Sequence, residues 1–104
     1  MAYKVRMTES ANKDLEEITE YIAIKLSNQK SAIELLDEFL EKKTFLEESP
    51  LMYPLCYDLR LKEQGYHRFL FKNNFIALYL IDEEKKVVTL MRIFYAQSDY
   101  ENYI

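Results

Sequence analysis

The residues best suited to chemistry are one histidine and two arginines in the second half of the chain. His67 stands beside Arg68, so a base that titrates near neutral pH adjoins a permanent cation. Neighbouring strand residues point to opposite faces, so these two would share a site only at a strand end or a bulge. Arg92 lies in an apolar run, where it must reach water, a ligand, or an acid such as Asp82 or Asp99. The three residues could serve phosphodiester cleavage, or they could be an exposed polar pair and a structural ion pair.

A second candidate surface follows the last apolar run of the chain. Three tyrosines stand among polar residues there, and the whole set comprises Tyr95, Gln97, Asp99, Tyr100 and Tyr103. Tyrosine rings stack on nucleic-acid bases or pack against proteins. Because the chain contains nine tyrosines, chance clustering is the alternative interpretation.

Metal and cofactor chemistry lacks its usual residue patterns in this sequence. Cys56 and His67 are the single cysteine and histidine, which is too few for a clustered zinc site. Gly65 is the single glycine, which excludes the nucleotide-binding folds that depend on glycine-rich phosphate loops. We therefore expect no metal and no cofactor.

The length, charge and cysteine count favour one cytoplasmic domain over residues 1–104. The chain has 104 residues, of which 49% are hydrophobic, enough for one core. Fourteen Lys and Arg against eighteen Asp and Glu give a net charge of -4, which disfavours general attraction to nucleic acids but allows a local basic patch. The lone cysteine and the lack of a leader or a membrane-length apolar run predict a reducing compartment and no membrane.

Three apolar runs near the C-terminus organise the fold. They cover residues 65–71, 75–81 and 87–95, and the polar breaks between them predict an antiparallel meander. The middle run is almost wholly apolar, so both faces of its strand should be covered. Residues 2–7 alternate apolar and polar side chains, which predicts an early strand that joins the same sheet.

Two helices are predicted before the meander. Thr8 or Ser10 can cap the first, and Asn28 can cap the second, which runs from about residue 29 to 47. The break between them is short, so they should form an antiparallel hairpin. Their core-facing stripes are Ala11, Leu15, Ile18, Ile22 and Leu26 in the first helix, and Ala32 or Ile33, Leu36, Phe39 or Leu40, and Leu46 in the second.

The predicted fold is α+β with two layers, in which an N-terminal strand and an α-helical hairpin pack on a mostly antiparallel twisted sheet. Between the hairpin and the sheet, residues 51–63 read as a loop and a short edge strand, because Leu59 and Leu61 alternate with basic residues. Residues 96–104 are polar with scattered tyrosines, and they could add a final helical turn packed on the sheet.

This order of elements resembles the RelE/ParE superfamily of toxins from bacterial type II toxin-antitoxin modules. The resemblance runs almost end to end and covers residues 3–11, 14–22, 65–68, 75–82 and 87–95, followed by Asp99 and Tyr100. It implies a β-α-α-β-β-β toxin linked to plasmid stabilisation. It also implies a hetero-oligomer in which a cognate antitoxin lies along the toxin surface.

Two activities occur in that superfamily. RelE-like members cut mRNA in the ribosome, whereas ParE-like members bind DNA gyrase and are not hydrolases. Aligned with the RelE pattern, the strand arginine falls at Ile76, the two strand lysines at His67 and Phe69, the late-strand arginine at Gln97, and the C-terminal tyrosine near Tyr103. Most of the cutting cations are therefore replaced, which argues against the nuclease.

The hairpin of about 40 residues, from 8 to 47, is similar to the longer hairpin of the ParE branch. Paired arginines often precede Asp-Tyr in that branch, and Gln97-Ser98 replaces them here.

We predict a ParE-like toxin that binds gyrase and meets its antitoxin through the hairpin and an exposed sheet edge. The alternatives are a ribosome-dependent mRNA endonuclease that uses His67, Arg68 and Arg92, and an inactive module that only titrates an antitoxin.

Overall fold

The computed structural model describes residues 2–104 and shows the predicted α+β arrangement. Its strands are β1 (Lys4–Met7), β2 (His67–Phe71), β3 (Phe75–Asp82) and β4 (Val87–Tyr95). Its α-helices are α1 (Glu9–Glu20), α2 (Gln29–Phe45) and the short α3 (Leu59–Glu63). A π-helical turn spans Tyr21–Lys25, and 3₁₀ turns span Pro50–Met52 and Tyr100–Tyr103.

The strands form one sheet in the order β1-β4-β3-β2. The meander of β2, β3 and β4 is antiparallel, as predicted, and β1 joins it parallel to β4, with Lys4 opposite Val87. A bulge interrupts the pairing of β3 with β4 between Leu78 and Tyr79. Because of the bulge, Leu90 and Ile93 both enter the core beneath the hairpin although three positions separate them.

Both predicted helix caps are present. Thr8 Oγ1 accepts a hydrogen bond from the backbone N–H of Ala11 at 3.0 Å, and Asn28 Oδ1 accepts one from Ser31 at 3.0 Å. The predicted stripe of the first helix is wrong at Leu26, which is exposed. Regular α-helix ends at Glu20, and the wider π-helical turn that follows rotates the next residues away from the α1 stripe.

The second helix buries a slightly different stripe from the predicted one. Leu35, Phe39 and the following Leu46 face the sheet, Ala32 is buried towards the first helix, and Leu36 is only half-buried. The main core lies between this hairpin and one sheet face, and it comprises Ile18, Leu35, Phe39, Leu46, Phe69, Phe71, Phe75, Ala77, Tyr79, Val88, Leu90 and Ile93.

The predicted edge strand around Leu59 and Leu61 is wrong, because this segment is helix α3. Asp58 Oδ1 caps the helix by accepting a hydrogen bond from the Leu61 N–H at 3.0 Å. The outer edge of β2 is instead covered by the preceding loop, where Pro54 O accepts a hydrogen bond from the Arg68 N–H at 3.0 Å.

The second sheet face is covered by the chain itself. Helix α3 and the C-terminal turn pack over a smaller core of Cys56, Leu61, Tyr66, Ile76 and Leu78. Tyr100 stacks on Phe94 with ring centroids 5.9 Å apart, so the predicted C-terminal turn does pack on the sheet. No helix within residues 2–104 is long and apolar enough to cross a membrane.

Burial of Cys56 in this second core makes stability depend on pH in alkali. Burial raises the pKa of its thiol to about 11, so the folded state holds the proton above pH 9, where the unfolded chain releases it. This contribution is complete below pH 9 and is lost as the pH rises towards 11. We expect the thiol alone to lower the free energy of unfolding by about 1 kcal/mol between pH 8 and pH 10.

Urea unfolding of wild type and Cys56→Ala at both pH values measures this effect. The variant should lose less stability in alkali than the wild type, although its buried tyrosines still titrate. An equal loss in both proteins would show that the thiol does not contribute.

Candidate functional site

Arg92 is held by an acid from the other end of the chain. Its Nε donates to Asp14 Oδ2 at 2.7 Å and its Nη2 donates to Asp14 Oδ1 at 3.1 Å, which is a bidentate pair. The hydrogen bond with Asp14 raises the pKa of the Arg92 guanidinium. Burial lowers this pKa, but its effect is the smaller of the two. The predicted partners Asp82 and Asp99 are therefore wrong.

The same carboxylate closes the open edge of β4. Strand β1 ends at Met7, and beyond it Thr8 Oγ1 donates to the Met91 carbonyl at 2.7 Å. Asp14 Oδ2 then accepts the Ile93 N–H at 2.9 Å. Side chains of α1 thus satisfy backbone groups that a longer first strand would have paired.

His67 lies on the hairpin face of the sheet. Its ring stacks on Tyr79 with centroids 5.3 Å apart, and its Nδ1 lies 2.8 Å from the Tyr53 carbonyl oxygen. Because a carbonyl only accepts, Nδ1 carries a hydrogen, and within residues 2–104 Nε2 makes no hydrogen bond.

Arg68 lies on the opposite face of the sheet. Its guanidinium stands 4.2 Å above the exposed ring of Tyr57, and within residues 2–104 its buried Nε has no hydrogen-bond partner. Arg68 and Arg92 are both paired across the strands with buried Leu78. Two strand spacings separate their backbones, or about 10 Å.

The three candidate catalytic residues are therefore divided between two faces. His67 is apart from both arginines, and the side chain of Leu78 fills the row between Arg68 and Arg92. The positions aligned with RelE are divided as well, since Phe69 is buried beneath the hairpin and Ile76 is buried on the second face. Positions 67, 69 and 76 cannot line one site in this sheet.

The predicted tyrosine surface is only partly brought together: Tyr95 and Tyr103 line one cavity of about 460 Å³ with Arg92, and Tyr100 is not among its lining residues. Tyr95 packs on Phe75 with centroids 5.0 Å apart and, with Gln97, faces the hairpin side. Tyr100 packs on the second face, and the exposed ring of Tyr103 lies 6.3 Å from that of Phe94. Asp99 accepts a hydrogen bond from the Asn102 side chain.

A groove of about 420 Å³ opens where the hairpin bend meets the end of the sheet. We call it the hairpin-end groove, and its principal walls are Tyr21, Lys72, Asn74, Phe75, Tyr95 and Gln97. Sequence analysis found Tyr95 and Gln97 but missed the other four. The lysine and asparagines of the β2–β3 turn are the available signal, but their polar types indicate only a turn.

The outer face of the hairpin carries uncovered apolar side chains. Ile24 is 71% exposed and Ile33 is 60% exposed, and a shallow groove of about 330 Å³ runs between them. Residues 9–45 contain nine acids and five lysines, so the hairpin carries a net charge of -4, as large as that of the whole chain. This surface is apolar along its centre and belongs to a hairpin of net negative charge.

Metal binding has no evident site in the described part of the chain. Within residues 2–104, no three His, Cys, Asp or Glu side chains cluster closely enough to hold an ion. Cys56 is buried and is not part of any such group there.

Solved toxin-antitoxin structures share this fold. A ParDE toxin-antitoxin structure from P. aeruginosa matches with a TM-score of 0.73 at 15% identity, covering 92% of this chain and 98% of that one. The E. coli RelBE toxin-antitoxin complex matches with a TM-score of 0.60 at 17% identity, covering 93% and 100%. The Mycobacterium tuberculosis RelBE2 complex matches with a TM-score of 0.55 at 21% identity, covering 91% and 99%. The fold is that of RelE/ParE toxins.

The sequence also matches a family directly. The family described as "ParE toxin of type II toxin-antitoxin system, parDE" matches residues 5–100. The chain therefore belongs to the ParE toxin family of type II toxin-antitoxin systems. No curated protein matched the sequence.

Proposed function

We propose that this ParE-family toxin acts in the cytoplasm by binding DNA gyrase, without cutting a nucleic acid, and that a cognate antitoxin neutralises it. The observation that carries the proposal is the separation of its candidate cutting groups. Cleavage of a phosphodiester without a metal requires cations around the developing phosphorane and an acid–base pair beside them. Here Asp14 engages Arg92, while Arg68 and His67 lie on opposite faces.

The second sheet face gives further support. Its centre is a packed apolar core that includes Ile76 and Leu78, and the C-terminal turn covers it through Tyr100. A phosphate would find no cationic cleft at that centre. Tyr95 and Tyr103 lie outside this core and are exposed. Aromatic side chains of this kind are enriched at protein–protein contacts.

The antitoxin surface that we propose combines the outer hairpin face with the edge of β1. An amphipathic helix could place its apolar side on Ile24 and Ile33, and its basic residues could meet acids of the negatively charged hairpin. β1 is paired only on the β4 side, so its other edge can accept an extended segment. The structural neighbours from P. aeruginosa and E. coli are themselves described as toxin-antitoxin systems.

Two parallel assays test the proposed activity. We expect the purified protein to inhibit supercoiling by gyrase, the antitoxin to reverse the inhibition, and primed ribosomes to keep their mRNA intact. The variant His67→Gln should inhibit gyrase as strongly as the wild type, because the proposal gives its imidazole no chemical role.

The opposite pattern would contradict this proposal. Cleavage of ribosome-bound mRNA by the wild type, lost in His67→Gln, would establish the endonuclease. Inactivity in both assays, with retained antitoxin binding, would identify an inert module that only titrates the antitoxin.

A further inference from the structure

The hairpin-end groove has the size and position of a small-molecule site. It lies between the π-helical turn at Tyr21–Lys25 and the β2–β3 turn, and its volume of about 420 Å³ falls within the usual range for ligand pockets. It is on the opposite side of the hairpin from the apolar groove between α1 and α2, since buried Leu35 contributes to its floor.

Aromatic rings form its floor and sides. Phe75 is buried at the base and packs against Tyr95. Tyr95 and Tyr21 each remain 47% exposed, so both phenol rings are open to a flat ligand. Rings arranged in this way favour stacking with a planar heterocycle.

The rim offers hydrogen-bonding groups that nothing in the fold uses. Within residues 2–104, neither the Lys72 ammonium nor the side-chain amides of Asn74 and Gln97 has a hydrogen-bond partner. The lining includes no carboxylate. In a protein with a net charge of -4, this groove offers an anion a lysine whose ammonium has no carboxylate partner within residues 2–104, although Glu38 stands at the backbone of the same residue and pairs with Lys42.

Hydrogen bonds tie the turn that forms one wall to the rest of the fold. Lys72 has a positive φ of 51°, and its backbone N–H donates to Glu38 Oε2 at 2.5 Å, which ties the turn to α2. The Asn74 carbonyl accepts the Ala96 N–H at 2.8 Å, which ties the same turn to the end of β4. A preformed site of this kind loses little entropy on binding.

We propose that the hairpin-end groove binds a nucleoside monophosphate. The base stacks on Tyr95, the amides of Asn74 and Gln97 hydrogen-bond its edge, and the Lys72 ammonium meets the phosphate. The first turn of α2 lines the same groove through Ser31, so the positive end of that helix adds to the attraction for the phosphate. The same chemistry is offered by a free nucleotide or by the end of a nucleic-acid strand.

Titration of the whole protein with AMP, GMP, CMP and UMP, followed by NMR or calorimetry, tests the site without gyrase or antitoxin. Its outcome is therefore independent of the proposed toxin activity. We expect at least one nucleotide to bind with a dissociation constant of about 0.1 to 1 mM. Lys72→Gln and Tyr95→Leu should each weaken binding about tenfold. Adenosine alone and inorganic phosphate alone should each bind more weakly than AMP.

Matched controls lie on the opposite sheet face. Lys62→Gln removes the same charge and Tyr57→Leu removes a more exposed ring, 85% against 47% for Tyr95, and neither should change the affinity. A hexanucleotide that binds more tightly than AMP, with the same loss in Lys72→Gln, would assign the site to a strand end. The proposal is overturned if no nucleotide binds at about 5 mM, or if the groove variants, shown to be folded by circular dichroism, bind like the controls.

Discussion

Asp14→Ala will lower the free energy of unfolding by about 3 kcal/mol. The substitution strips a half-buried guanidinium of its bidentate partner and leaves the N–H of buried Ile93 without an acceptor. The Arg92 side chain retains 31% exposure, so water recovers part of the loss and holds the effect below that of a fully buried pair. Urea unfolding at neutral pH measures the difference.

A double-mutant cycle separates the two parts of this effect. Asp14→Asn keeps an oxygen for the Ile93 N–H but loses the charge, so it should cost less than Asp14→Ala. Arg92→Met removes only the ion pair and should show coupling to Asp14 of about 1 kcal/mol or more. Glu16→Gln on the same helix serves as the control, because Glu16 is exposed and does not contact Arg92, with an effect under about 0.5 kcal/mol. If Asp14→Ala itself lowers the free energy of unfolding by less than about 0.5 kcal/mol, the contacts of Asp14 with Arg92 and Ile93 do not stabilise the fold.

Ile24→Glu combined with Ile33→Glu will weaken antitoxin binding at least 100-fold, or by about 3 kcal/mol. The double variant places two charges on the apolar centre of a surface on a hairpin that already carries a net negative charge. Both side chains are largely in water in the free toxin, so its own stability should change little. Calorimetry with the product of the adjacent reading frame, taken as the antitoxin, measures the affinity.

The matched control is Leu51→Glu combined with Met52→Glu, at residues that are 60% and 72% exposed on another part of the surface. It adds the same charge and should leave the affinity unchanged. If this control loses affinity and the hairpin variant does not, the antitoxin docks elsewhere. If the adjacent product does not bind the wild type, the assignment of the antitoxin fails.

Hydrophobic periodicity was sufficient for the long elements of the fold. The runs at 75–82 and 87–95 and the helical stripes around Ile18 and Phe39 each extend over several repeats, so strand and helix could be told apart. Short segments were ambiguous, because alternating Leu59 and Leu61 fit one turn of helix as well as a strand. Asp58 and Gly65 mark the ends of that helix, and Gly65 adopts a φ of +88°.

The sites were much less predictable, because they depend on contacts between distant segments. Asp14 and Arg92 are 78 residues apart, and nothing in either local sequence indicates the other. The sequence does predict that His67 and Arg68 lie on opposite faces, because neighbouring strand residues alternate between faces. The hairpin-end groove draws Tyr21, Lys72 and Gln97 from separate segments, so only the folded chain reveals it.

The parallel pairing of β1 with β4 has a consequence for translation. The first strand emerges from the ribosome early, but its only neighbour in the sheet, from Val87 to Leu90, is among the last segments made. The nascent chain therefore exposes its hairpin long before the sheet can close. The surface that we assign to the antitoxin is synthesised first, and the part of the molecule that completes the toxin is synthesised last.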